Sequence, residues 1–94
     1  MICIPIEIAI DKYINLHRAI SSFRTVQYYK ETLDMFKKYA DSKGIIELQE
    51  FSQDNFIDYL QMLRNRAIKN TTVNTYTRGL RAFAHWCVDN GYLN

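Results

Sequence analysis

Apolar residues recur at intervals of three and four along most of this chain, the period of a helix that buries one face. Ile6, Ile10, Tyr13, Ile14 and Ile20 follow that spacing and predict a first helix over residues 6–20. Its start is ambiguous, because Ile2, Ile4, Ile6, Ile8 and Ile10 also alternate as in a strand. The chain offers no second strand signal to pair with them, and an isolated strand leaves its backbone groups unpaired. Pro5 suits the first turn of a helix instead. A second helix over 23–43 carries Val26, Tyr29, Leu33, Phe36 and Ala40. Ser21 or Ser22 caps it, since a serine hydroxyl accepts from exposed first-turn N–H groups, and Gly44 fits the left-handed position that ends it. Residues 45–51 read as a connection with apolar anchors. A third helix over 53–66 starts at Ser52 and buries Phe56, Ile57, Leu60 and Leu63, with Arg64 and Arg66 complementing its negative end. A fourth over 71–90 is capped by Asn70 or Thr71 and stopped by Gly91; its stripe is Tyr76, Leu80, Phe83 and Cys87. The pattern predicts an all-α, compact four-helix bundle without a sheet, one domain spanning 1–94.

Two of these helices open on the same phrase. Thr25-Val26-x-x-Tyr29-x-x-x-Leu33-x-x-Phe36 recurs as Thr72-Val73-x-x-Tyr76-x-x-x-Leu80-x-x-Phe83. The spacings put Thr, Tyr, Leu and Phe on one helical stripe in both copies. Gly79 interrupts the second copy at a cost of roughly 1 kcal/mol relative to Ala. Close approach by another helix or by a ligand backbone is a sufficient reason for it.

Composition narrows the function classes. Ninety-four residues with three Gly and one Pro make one folded domain rather than a disordered segment. No apolar run is long enough for a membrane span, and residues 1–5 have no basic leader segment. Cys3 and Cys87, at opposite ends, read as reduced thiols of a cytoplasmic protein. The net charge of +2 decides nothing, but its distribution is informative. Asp and Glu are absent from Lys12 to Lys30 and again from Tyr59 to Val88, while seven acids gather between Glu31 and Asp58. Segregated charge of this kind presents one positive surface, as nucleic-acid binders do.

The candidate chemistry lies opposite the core. Asn74, Arg78, Arg81 and His85 form a row on the fourth helix, entered through Lys69, Asn70, Thr71, Thr72 and Thr75. The second helix repeats this more weakly with Ser22, Arg24, Thr25, Gln27, Tyr28 and Lys30. A helix start offers free N–H donors and partial positive charge to a phosphate, and Lys or Arg adds counterion release. Each feature alone has an ordinary explanation: hydroxyls as caps, an arginine row as a wetted face. Tyr29, Tyr76, Phe36, Phe83 and Trp86 read as core, with Tyr28 the exposed aromatic. His17 and His85 lack ligand partners at metal spacing. No phosphate-cradling loop, nucleophile motif or carboxylate pair supports catalysis or a cofactor.

These residues together resemble a known family. Ser22-x-x-Thr25-Val26-x-x-Tyr29-x-x-x-Leu33-x-x-Phe36, Phe56-Ile57-x-Tyr59-Leu60-x-x-Leu63 and Thr71-Thr72-Val73-Asn74-x-Tyr76-x-x-x-Leu80-Arg81-x-Phe83-x-x-Trp86-x-x-x-x-Gly91-Tyr92 are similar to the core-binding (SAM-like, N-terminal) domain of tyrosine recombinases of the phage-integrase type. The resemblance covers residues 7–94 and implies a helical bundle forming half of a C-shaped clamp on double-stranded DNA, beside the strand-exchange site. It implies that Arg24, Thr25, Gln27 and Tyr28 on the second helix face DNA, with Thr71, Thr72, Thr75 and Arg78 on the fourth and Lys69 and Asn70 just ahead; Asn74 and Arg81 join the DNA-binding set from their place in the row described above. It further implies contacts with other recombinase protomers, and catalytic Arg, His or Lys, and Tyr residues in a separate domain that no stretch here matches. On that reading the chain binds and is not an enzyme alone, and it has no small-molecule substrate, metal or membrane partner. The alternative is a helical protein–protein interaction module using Tyr28, Tyr39, Tyr59 and Tyr92. A helix-turn-helix regulator with its turn at Arg66–Asn70 fits poorly, because the second helix then duplicates a role it should not have.

Overall fold

Helices form where the apolar period places them, and their ends follow local capping chemistry. In the computed structural model, which describes residues 3–66 and 69–93, α1 spans Ile6–Ile20, α2 Phe23–Ser42, α3 Gln53–Asn65 and α4 Asn70–Asp89. A short 3-10 turn occupies Leu48–Glu50 between α2 and α3. Ser22 caps α2 by accepting from the Thr25 N–H at 3.3 Å. Ser52 and Asn55 cap α3 reciprocally: the Ser52 hydroxyl accepts from the Asn55 N–H at 3.2 Å, and the Asn55 carbonyl accepts from the Ser52 N–H at 3.0 Å. Gly44 and Gly91, with φ of 69° and 77°, stand just past the ends of α2 and α4, in the left-handed region that a side chain would strain.

The start of α4 differs from the expectation. Lys69 holds the extended N-cap backbone, with φ −58° and ψ 144°, and no side chain caps the helix. Asn70 is already helical, so neither it nor Thr71 fills the cap. The Arg66–Asn70 turn considered for a helix-turn-helix includes residues 67 and 68, which lie outside the described residues. Ser52→Ala should therefore cost about 1 kcal/mol, whereas Asn70→Ala and Thr71→Ala should change the thermal midpoint little; melting the three variants side by side checks this.

The strand-like alternation at the chain start does find a partner. The Ile6 N–H donates to the Ile46 carbonyl at 2.8 Å and the Leu48 N–H donates to the Ile4 carbonyl at 2.9 Å, an antiparallel bridge centred on Pro5 and Glu47. Pro5 is thus the N-cap of α1 rather than its first turn. The pairing segment lies in the apolar-anchored connection, too short to announce itself as a strand; Ile2 lies outside the described residues.

Four side chains sit elsewhere than expected. Ile20 is 67% exposed because α1 ends beyond the core, while Ala9 is fully buried in the helix middle. On α3, Tyr59 is at 0% exposure and Ile57 at 47%, since the buried stripe runs Phe56, Tyr59, Leu60 and Leu63 and Ile57 falls a quarter-turn off it. Tyr39 is also buried; its hydroxyl donates to Asp58 at 2.7 Å, tying the end of α2 to α3. Of the four tyrosines proposed as a protein-docking surface, Tyr39 and Tyr59 are therefore core.

The repeated phrase turns out to be a packing register. Residues 47 apart meet across the α2–α4 contact: the Tyr28 hydroxyl donates to the Thr75 carbonyl at 2.7 Å, and a Cβ built on Gly79 would lie 2.7 Å from Thr32 Cγ2. One helical turn further along, the Phe36 and Phe83 ring centroids are 6.3 Å apart. These pairs advance together along both helices, so α2 and α4 run in the same direction and start at the same end of the bundle. Gly79 answers the side-chain layer of α2, which is the close helix approach expected of it.

Burial sets the alkaline limit of this fold. Desolvation pushes the Cys87 thiol up to about 12 and raises the hydroxyls of Tyr13 and Tyr59. All three hold their protons more tightly when folded. Their contribution is complete below the unfolded values, about 8.5 for a thiol and about 10 for a phenol, and is lost as pH climbs above them. The urea midpoint should fall from about pH 9 upward; a midpoint rising through that alkaline range would contradict this assignment.

Candidate nucleic-acid interface

The shared starting end of α2 and α4 carries most of the residues picked out from sequence. Arg24 and Gln27 are exposed and Thr25 and Tyr28 half-buried on α2. On α4, Lys69, Asn70, Thr71, Asn74, Thr75, Arg78 and Arg81 are exposed and Thr72 is half-buried. Tyr28, Thr75 and Arg78 come together at the helix contact: burial raises the Tyr28 hydroxyl, Tyr29 adds to this, and the Arg78 charge opposes it. Gln27 stands apart from that contact, whereas Arg24 lies one turn ahead of Tyr28 on the same stripe of α2. Gln27 lines a cleft on the α1 side of α2, with Arg18, Ser21 and Lys30.

Internal hydrogen bonds decide which polar groups remain for a ligand. The Tyr28 proton is committed to the Thr75 carbonyl, so Tyr28 works as a strut between the two helices. Thr75 donates its hydroxyl to the Thr71 carbonyl at 2.8 Å, leaving oxygen lone pairs that accept but cannot serve a phosphate. Thr25 accepts from the Ser22 hydroxyl at 3.1 Å, which leaves its own proton available. The unfilled cap at Lys69 leaves first-turn N–H groups of α4 without a side-chain acceptor, the donors an anionic oxygen takes.

Charge is segregated in space as well as in sequence. Ion pairs join Lys37 to Asp41 at 2.8 Å, Lys38 to Asp34 at 3.5 Å and Lys43 to Asp58 at 3.4 Å, all in the later half of α2 and on α3. Among the described residues, Arg18, Arg24, Lys30, Lys69, Arg78 and Arg81 enter no ion pair. His17 adds no charge here: burial lowers its pKa, and its ring lies 4.5 Å from that of Tyr29, with Nδ1 2.7 Å from the Ser21 hydroxyl. Among the described residues no three potential ligands gather to hold a metal ion, and no helix is long and apolar enough to cross a membrane. Arg18 joins this surface only through the packing of α1 on α2, which sets it beside Lys30. For Arg18, the acid-free stretch from Lys12 to Lys30 was the one available hint.

A bundle of four helices, with parallel second and fourth members starting at one basic end, defines an all-α SAM-like helical domain. The family described as phage integrase, N-terminal SAM-like domain, matches residues 10–91, and this chain belongs to that family. The solved N-terminal domain of a phage integrase/site-specific recombinase from Haloarcula marismortui superimposes with a TM-score of 0.94, covering 100% of this chain and 90% of that one at 14% identity. At that identity the likeness speaks for the fold alone. No curated protein matches the chain.

Proposed function

We propose that this domain holds duplex DNA for a site-specific recombinase, using the end of the bundle where α2 and α4 begin. The observation that carries the reading is the in-register, parallel α2–α4 pair, joined by the Tyr28–Thr75 hydrogen bond. It sets two helix starts side by side among cations without acidic partners. Phosphates would be met by Lys69, Arg78, Arg81 and Arg24, by the free N–H groups of α4, and by the hydroxyls of Thr25, Thr71 and Thr72. Asn70, Asn74 and Gln27 supply the amides suited to base edges. The bond-breaking groups of the parent recombinase, and its contacts with other protomers, belong to the same proposal and lie outside the surface described. The membership in an integrase domain family supports this reading over a protein-docking module, which loses Tyr39 and Tyr59 to the core.

Backbone amide titration with a short duplex tests it. Perturbations should cluster at residues 22–30 and 69–81, and a pattern centred on α3 or the α2–α3 connection would overturn it. With about five phosphates neutralised, affinity should fall by roughly two to three orders of magnitude between about 50 and about 200 mM salt.

A further inference from the structure

Phe23 is the most exposed large apolar residue among those described, at 83%, three positions beyond Ile20 at 67%. It occupies the first helical position of α2, directly after the Ser22 cap. Long helical side chains lean back toward the N-terminus, so an aromatic there projects past the helix start. It also forms one wall of a cleft of about 380 Å³ between the end of α1 and the start of α2, lined by Arg18, Ser21, Phe23, Val26, Gln27 and Lys30. Arg18 and Lys30 also border the adjoining α1–α2 cleft, which holds Glu7, Asp11 and Asp34, so the two cations stand between an acidic cleft and this one, whose lining has no carboxylate. This one has two cations, an amide, a hydroxyl and an aromatic face. Neither Arg18 nor Lys30 enters an ion pair among the described residues.

An aromatic face beside cations and an amide suits a nucleotide whose base has left the helical stack. Every base has a π-face to lay on an aromatic ring, while the cations take the flanking phosphates. A fully paired duplex keeps its base faces inside the stack and presents none to such a ring. We infer that this cleft receives one unstacked nucleotide of DNA, with Phe23 stacking on the base, Gln27 at its edge, and Arg18 and Lys30 on the phosphates. The inference rests on the duplex-binding reading above and adds a second contact to it, with Gln27 at the boundary of the two.

The test compares two short duplexes at about 100 mM salt, one fully paired and one carrying a single extrahelical 2-aminopurine. The wild-type chain should bind the bulged duplex about tenfold more tightly and quench its fluorescence. Phe23→Ala should remove that preference and the quenching while binding the paired duplex as before; Phe23→Trp should keep both. The side chain is exposed, so thermal melting of Phe23→Ala should match wild type. Equal wild-type affinity for the two duplexes, or a preference that survives in Phe23→Ala, overturns the inference and leaves duplex binding standing. Failure to bind either duplex overturns both.

Discussion

The Lys69→Glu/Arg78→Glu double variant is expected to lose duplex binding by more than about 100-fold at about 100 mM salt, with its thermal midpoint nearly unchanged. Both side chains are exposed and enter no ion pair among the described residues, so nothing in the fold depends on them, and exposed substitutions of this kind shift stability by about 0.5 kcal/mol or less. Glu at the cap of α4 even favours the helix, because a negative charge there complements the macrodipole. The loss would come from two cations removed and two anions placed among the phosphates. A matched control separates local contact from net charge. Lys38→Glu/Lys43→Glu makes the same change of charge at the opposite end of α2, and should reduce affinity far less at this salt, where a Debye length of about 10 Å screens the distant end. If the two double variants weaken binding equally, the proposed surface is wrong. If the Lys69/Arg78 variant still binds as wild type, duplex recognition does not use this end.

Gly79→Ala should destabilise the fold by about 1–3 kcal/mol through overpacking, although Ala is the better helix former by roughly 1 kcal/mol. The reason is steric. The added Cβ would stand 2.7 Å from Thr32 Cγ2, 2.9 Å from the Tyr28 hydroxyl and 3.1 Å from Thr32 Oγ1, so α2 and α4 would have to separate at the contact that aligns their starts. For a domain of this size such a loss lowers the melting midpoint by roughly 5–15 °C. Combining Gly79→Ala with Thr32→Ala should restore most of it. Thr32 is fully buried, and its truncation removes two of the three atoms that the added Cβ would meet. A Gly79→Ala variant more stable than wild type would show that helix propensity, not interhelical distance, governs this position.

Much of the fold was legible because it rests on short-range rules. The four apolar stripes, Ser22 and Ser52 at helix starts, and Gly44 and Gly91 past helix ends all act within one or two turns, and the helix bounds agree with expectation to within a residue. The exceptions have a common cause. Ile57 and Tyr59 are both plausible core residues, and a helix only a few turns long tolerates either face until its neighbours choose. Lys69 took the cap because the backbone entering α4 turns one residue earlier than its polar side chains imply. The bridge between Ile4–Ile6 and Ile46–Leu48 joins segments far apart in sequence, so no local signal could announce it.

The candidate interface divides the same way. The acid-free stretches, the arginine row and the duplicated Thr-Val-x-x-Tyr phrase were readable because charge and helical period are local properties. What the repetition meant was not. Only the packed structure shows that equivalent positions of the two copies touch one another, that Tyr28 is a strut rather than a free donor, and that Arg18 and Lys30 line a cleft beside Phe23. Sequence alone determined which helices form and which of their faces are basic, because each helix obeys its own period and caps. Tertiary packing decided which helix starts stand together, because the rotation and direction of one helix against another depend on contacts between residues remote along the chain.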